Sequence, residues 1–317
     1  MGATRVDVSG ESFVVNGKLT YSDIPGSHGR AHGLLMNARF IQGIFDDRAH
    51  RERFARFGME TYDPEANTDA LIAALPQWYE HGLRAFTVGL QGGGPCFTIR
   101  DLCSIDNNPF GEDGRSFDPS YEGRLDRLIQ AADRLGMLVI VSYLYQGQAL
   151  RLRDGRAVRN AIDTASAVLR NGGYTNVIVE VANEHTVGRF ANHPLVSTKE
   201  GAAYLVDRTR EKTEMPVGCS GGGGEASREV NEAADIILIH GNGCTRQQLY
   251  NTIKKARAWG MDKPIVCNED SQCVGQLAVT YPNYASWGYY NNMTKQEPPA
   301  EWGITRGEDQ FFAYRMG

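Results

Sequence analysis

Along the chain, short continuous apolar runs alternate with longer stretches in which apolar residues return every three or four positions. The short runs are rich in Val and Ile and bounded by Gly, Asn or Pro, as parallel strands buried on both faces are. They fall at 38–45, 83–90, 137–143, 177–182, 215–220, 236–240, 264–268 and 284–289. The stretches between them predict amphipathic helices. In 68–81, Leu71, Ile72, Leu75 and Trp78 share one face, with Asn67 or Thr68 as N-cap. In 121–135, Leu125, Leu128, Ile129 and Ala132 do the same, and Gly136 stops the helix. Helices at 158–169, 199–212 and 246–259 continue the series, with weaker ones at 224–233, 274–279 and 308–315.

Ahead of this alternation, Asn16-Gly17 separates Phe13-Val14-Val15 from Leu19-Thr20-Tyr21. An Asn-Gly pair between apolar runs is a strong hairpin signal, because both central residues need positive φ. The pattern therefore predicts a (β/α)8 TIM barrel, a single domain over residues 1–317, with an N-terminal hairpin at 12–22 closing the barrel bottom. A doubly wound open sheet would want a glycine-rich turn after its first strand, and Phe45-Asp46-Asp47 offers none.

Composition narrows the function classes. With 41 % hydrophobic and 22 % charged residues the chain can bury a large core, and a net charge of −5 gives no reason to expect nucleic acid. No run reaches the roughly 18 apolar residues of a membrane span. Met1 to Glu11 lacks the basic-then-apolar layout of a secretion signal, which leaves cytoplasmic and secreted locations both open. Cys96, Cys103, Cys219, Cys244, Cys267 and Cys273 form no CxxC pair and no zinc spacing with histidine. Reduced thiols are expected, with a Cys96–Cys103 bridge as the alternative. His28 and His32 lack an HExxH glutamate, Ser220-Gly221-Gly222-Gly223-Gly224 lacks a P-loop lysine, and there is no GxSxG elbow. Neither a metal nor a cofactor is expected.

The loops after strands are long (46–66, 91–120, 183–197, 291–306), and those before strands are mostly one to three residues. In a barrel, the face carrying the strand C-termini and the longer loops holds the active site. Two strands run straight into a glutamate on that face: the fourth in Val179-Glu180-Val181-Ala182-Asn183-Glu184, the seventh in Ile265-Val266-Cys267-Asn268-Glu269. Strands four and seven lie across the mouth from each other, and a pair of facing carboxyl groups is what glycosidic cleavage requires. Glu180 lies in mid-strand and is expected to pair between the barrel and the helix layer.

Asn183-Glu184 after an apolar fourth strand, and Glu269 closing a Lys263-Pro264-Ile265-Val266 seventh strand, resemble the clan A glycoside hydrolases, the cellulase- and mannanase-like retaining glycosidases. The resemblance extends from the Val15-Asn16-Gly17-Lys18 hairpin to Trp287. It implies Glu184 as acid/base, Glu269 as nucleophile and Asn183 on the sugar 2-hydroxyl. It also implies His240 near the nucleophile and Trp287 as a platform under a sugar ring. The chain departs from the clan pattern in three places. Thr87 stands near the usual second-strand arginine position, with Arg39 on the first strand as a substitute that looks early. His185 replaces a frequent proline, and Asn242 a frequent tyrosine. Asp46, Gln91, Tyr143, Tyr145 and Asn242 are further candidates to line a pocket for an oligosaccharide or glycoside. The expected chemistry is retaining hydrolysis with Glu269 ionised and Glu184 holding a proton. A catalytically silent carbohydrate-binding barrel and a transglycosylase are the alternatives.

Overall fold

In the computed structural model, which describes residues 2–55, 61–93, 98–272 and 274–317, the chain opens with a three-stranded antiparallel sheet. Its strands are β1 (Val6–Ser9), β2 (Ser12–Val15) and β3 (Lys18–Leu19). The hairpin between β2 and β3 turns on Asn16 at φ 51° and Gly17 at φ 78°, the left-handed pair its sequence calls for. The sheet is wider than the expected hairpin, because Val6-Asp7-Val8 alternates and adds a strand within the largely polar stretch before it.

The eight barrel strands follow: β4 (Asn37–Arg39), β5 (Ala85–Gly89), β6 (Leu138–Tyr145), β7 (Val177–Asn183), β8 (Val217–Gly218), β9 (Ile237–His240), β10 (Ile265–Glu269) and β11 (Gly288–Tyr289). One parallel sheet runs in the order β11-β4-β5-β6-β7-β8, and β10 pairs with β9. Backbone bonds join the two pieces. Asp235 donates to the Val217 carbonyl at 2.8 Å, and Ser286, just before β11, exchanges bonds with Ile265 and Cys267 of β10. The ring is closed, so among the described residues the barrel has no free strand edge.

Several strands are shorter than their apolar runs. The run past Arg39 leaves the ladder within two residues, Phe40 and Ile41 still bonding Thr87 and Gly89, and Ile41 and Ile44 are buried in a turn with Phe45 buried just beyond it. Burial alone does not separate ladder from packed turn.

Outside the barrel lie α1 (Pro64–Glu80), α2 (Pro119–Leu135), α3 (Gly155–Gly172), α4 (Pro194–Ser197), α5 (Lys199–Lys212), α6 (Arg228–Ala233), α7 (Arg246–Ala258), α8 (Leu277–Thr280), α9 (Asn292–Lys295) and α10 (Glu308–Met316). Helix α1 starts earlier than its apolar stripe suggests. Asp63 caps it by accepting from the Glu65 and Ala66 amides, with Pro64 in the first turn. Asn67 and Thr68, expected as caps, sit inside the helix and bond the carbonyls of Gln42 and Gly43.

The barrel interior divides by height. Near the strand N-termini, Leu35, Ala85, Leu138, Ile140, Ile178, Ile236, Leu238 and Val266 form an apolar plug, which Val6 and Phe13 of the N-terminal sheet complete from below. Residues one step higher on the same strands are polar, and they support the site.

Candidate active site

Side chains alternate along a strand, so the inward position of Ile178 on β7 turns Glu180 inward as well. Glu180 is fully buried in the pore and does not face the helix layer, as its mid-strand position suggests. Its Oε1 accepts from Ser220 Oγ at 2.7 Å and Asn268 Nδ2 at 3.0 Å. His240 Nε2 stands 3.6 Å away and Arg39 4.0 Å. Burial alone would raise the pKa of this carboxyl, but His240, Arg39 and Asn268 outweigh it and bring the pKa down to about 2.

Above it stand the two strand-end glutamates. Glu184 directly follows β7 with φ at +55°, a conformation costing about 1–2 kcal/mol for a side chain of this kind. Its amide donates to Ser220 Oγ at 3.0 Å, and the next amide, of His185, donates to the Ser220 carbonyl at 2.9 Å, so the β8 end holds the turn. Glu269 closes β10 at an irregularity: Cys267 pairs with Ile239, yet Glu269 rather than Asn268 pairs with His240. This bulge lets Asn268 and Glu269, neighbours in sequence, both reach into the pore, a usual device for re-aiming a side chain beside a site.

The two carboxylates share partners. Asn242 Nδ2 donates to Glu184 at 3.3 Å and to Glu269 at 3.1 Å. His240 Nδ1 is 3.0 Å from Glu184 and 3.6 Å from Glu269. Arg39 Nε meets Glu269 at 2.7 Å, and its Nη2 donates to Asn183 Oδ1 at 2.5 Å. The arginine beside Glu269 thus comes from the first barrel strand. The guanidinium lies over the Tyr290 ring at 5.7 Å.

The charges fall in a definite order. Burial would strip His240 of its proton, but Glu269, Glu180 and Glu184 drive its pKa up to about 10, so it is an imidazolium at neutral pH. Glu184 is also buried, yet the hydrogen bonds from His240 and Asn242 hold it below the usual carboxylate range. Burial pushes Glu269 up, against the pull of Arg39 and His240. The unliganded pair therefore leans opposite to the expected assignment of the proton, as two coupled carboxylates sharing one environment can. Glu184, His240 and Glu269 offer three ligand-type atoms within 4.8 Å of one another. Arg39 and His240 stand beside these carboxylates as their nearest positively chargeable groups.

The other expected site residues divide. Tyr145 belongs with the pair: the charges of Glu269 and Glu184 add to burial in raising its phenol. Gln146 reaches Glu184 at 3.4 Å. Tyr143 turns outward, its hydroxyl 3.4 Å from Ser166 of α3. Gln91 is buried as a strut, donating to Asn108 at 2.7 Å and accepting from the Tyr145 amide at 3.1 Å. Asp46 is locked by Arg51 at 2.7 Å, with Arg124 at 4.0 Å. Trp287 is fully buried, packs against Tyr289 and Phe312, and donates to Asp270 Oδ2 at 2.6 Å. Its ring is core filling here, with no open face for a sugar. Burial raises Asp270 to about 7, against the Trp287 and Ser271 hydrogen bonds. Cys103, Cys219, Cys244 and Cys267 are free thiols, while Cys96 and Cys273 lie outside the described residues. Among the described residues no helix is long and apolar enough to cross a membrane.

No protein-family model matches the sequence, and no curated protein matches it significantly. Solved structures do. A candidate glycoside hydrolase from Bacteroides vulgatus ATCC 8482 has a TM-score of 0.64 at 14 % identity, over 98 % of this chain and 60 % of that one. A family 5 glycoside hydrolase from the same strain gives 0.58 at 11 %, over 89 % and 63 %. The β-mannanase of the blue mussel Mytilus edulis gives 0.61 at 13 %, over 99 % and 96 %. The chain spans less than two thirds of the two bacterial structures and nearly all of the mussel one. These neighbours are glycoside hydrolases, and what the likeness shows of this chain is its fold, the (β/α)8 barrel.

Proposed function

We propose that the chain is a retaining glycoside hydrolase, residues 1–317 acting as one catalytic domain on a β-linked oligosaccharide or glycoside. The observation that carries this reading is the gap between the two strand-end glutamates: an oxygen of Glu184 and an oxygen of Glu269 lie within 4.8 Å. Double displacement works with carboxyl groups about 5–5.5 Å apart, whereas inversion needs about 6.5–9.5 Å to admit water between.

Glu269 is the nucleophile in this reading. Arg39 at 2.7 Å orients the oxygen that is not attacking and balances its charge. Glu184 protonates the leaving oxygen and then activates water. Substrate supplies the proton order the reaction needs. Partial positive charge at the anomeric carbon favours ionised Glu269, and a glycosidic oxygen accepting from Glu184 favours its protonated form. His240 and Asn242, each touching both carboxylates, keep the second proton transfer within reach. The neighbours named as β-mannanases make β-1,4-linked mannan the first polymer to assay.

The test is trapping. A 2-fluoro β-glycoside with a good leaving group should inactivate the protein and leave one sugar on the peptide containing Glu269. Label on Glu184, or product released with inverted anomeric configuration, would overturn the reading.

A further inference from the structure

Beneath the two glutamates, the pore holds a third carboxylate that shares most of its partners with the other two. Glu180 neighbours His240, which touches Glu184 at 3.0 Å and stands 3.6 Å from Glu269. It neighbours Arg39, which grips Glu269 at 2.7 Å. It accepts from Ser220 Oγ, the same atom that receives the Glu184 amide and so fixes the left-handed turn. It accepts from Asn268, the residue beside Glu269 at the bulge of β10. Below it lies the apolar plug.

We propose that Glu180 is a positioning residue for the reaction: from inside the barrel its carboxylate holds the His240 ring, the Arg39 guanidinium and Ser220 in the places from which they serve Glu184 and Glu269. The inference rests on the glycosidase reading for what the two glutamates do, but the placement stands on geometry alone. A buried carboxylate costs several kcal/mol in lost hydration unless other groups answer it. Here two cations and two hydrogen-bond donors answer it; Arg39, His240 and Ser220 each also reach a group of the candidate pair, and Asn268 precedes Glu269 in the chain. Glu180 Oε2 and Arg39 Nη1, 4.0 Å apart, make no hydrogen bond among the described residues and stand as neighbouring opposite charges. Without Glu180, two cations would share the pore with the two glutamates alone. Arg39 and His240 would each be drawn up toward the mouth, into the space a sugar must enter. With it, they are held from below. The charged groups around His240 are Glu180 and Glu184 on the β7 side, Glu269 and Asp270 at the end of β10, and Arg39 of β4. Of these carboxylates, Glu180 alone lies below the ring and away from the mouth.

The deciding experiment compares wild type with Glu180→Gln, Glu180→Asp and Ser220→Ala, using both turnover and the imidazole NMR of His240, identified by its loss in His240→Gln. In Glu180→Gln the His240 midpoint, near 10 in wild type, should fall by roughly one pH unit or more. Its kcat should drop about 10²-fold while KM stays within about threefold. Glu180→Asp keeps the charge and should restore the His240 midpoint toward wild type, with kcat between the two. Ser220→Ala should lower kcat and leave the midpoint in place. An unchanged His240 midpoint in Glu180→Gln, or kcat within about threefold of wild type, overturns the proposal. So does a wild-type His240 that loses its proton below pH 7, a reading available even where a variant does not fold. The NMR arm needs no turnover, so a protein that hydrolyses no glycoside would refute the proposed reaction without touching this assignment.

Discussion

The lower and upper halves of the barrel interior are built from the same strands, a residue pair apart, and they are chemically opposite. On β7, Ile178 joins the apolar plug and Glu180 begins the charged layer. On β9, Leu238 is plug and His240 is imidazolium. On β10, Val266 is plug and Asn268 donates to Glu180. The lower half holds by shape and exclusion of water. The upper half holds by attraction between opposite charges, three carboxyl groups around one guanidinium and one imidazolium. Removing a methyl group should therefore hurt the lower half in stability, and removing a charge should hurt the upper half in rate.

The sharpest way to test that division is at the candidate pair itself. Glu184→Gln and Glu269→Gln should each lower kcat on a verified substrate by at least about 10³-fold, with unfolding midpoints close to wild type. An active variant of either kind would break the upper-half account. The converse change is Phe13→Ala, which opens the plug from below. It should cost about 3–5 kcal/mol in urea unfolding and leave kcat of the folded fraction unchanged. Less drastic is Arg39→Lys. A lysine cannot hold Glu269 and Asn183 together as the guanidinium fork does, so kcat should fall about 10²-fold at little cost in stability.

A pH series separates the halves without mutation of the pair. The His240 pKa is raised in the folded protein from its ordinary 6.5 to about 10. The folded form therefore binds the proton more tightly than the unfolded form, and the stabilisation is complete below about pH 6.5 and lost as pH rises toward 10. Urea midpoints should decline over that window in wild type, and His240→Gln should lack this component. The smallest effect lies outside both halves. Asp63→Ala removes the cap of α1 and should cost about 1 kcal/mol by urea unfolding, with no change in rate.

Much of this was legible in the sequence because it depends on local rules. Apolar runs and glycine punctuation located the eight strands, and Glu184 and Glu269 stood out because each directly follows such a run. Glu180 was legible too, had the alternation been counted from Ile178. A charge in mid-strand reads as outward-facing only if the pore is assumed apolar throughout. Arg39 was harder. Its reach to Glu269 depends on a side chain passing the end of an intervening strand, which no spacing along the chain encodes. The bulge that seats Asn268 and Glu269 together is also a pairing event between strands. Trp287, Tyr143, Gln91 and Asp46 were drawn into the site by residue type and position. The fold uses them for packing and for bracing loops, because a buried polar group needs a partner whatever its distance from the chemistry.

The plug formed by Val6 and Phe13 with the lower strand residues has a consequence for hydration. It backs the charged layer with apolar side chains, leaving Glu180 and His240 fully buried beneath Glu184 and Glu269, which keep some exposure. In the proposed hydrolysis the proton that departs with the leaving group, and the water that follows it, would be exchanged at the two glutamates, while the charges beneath them stay dry.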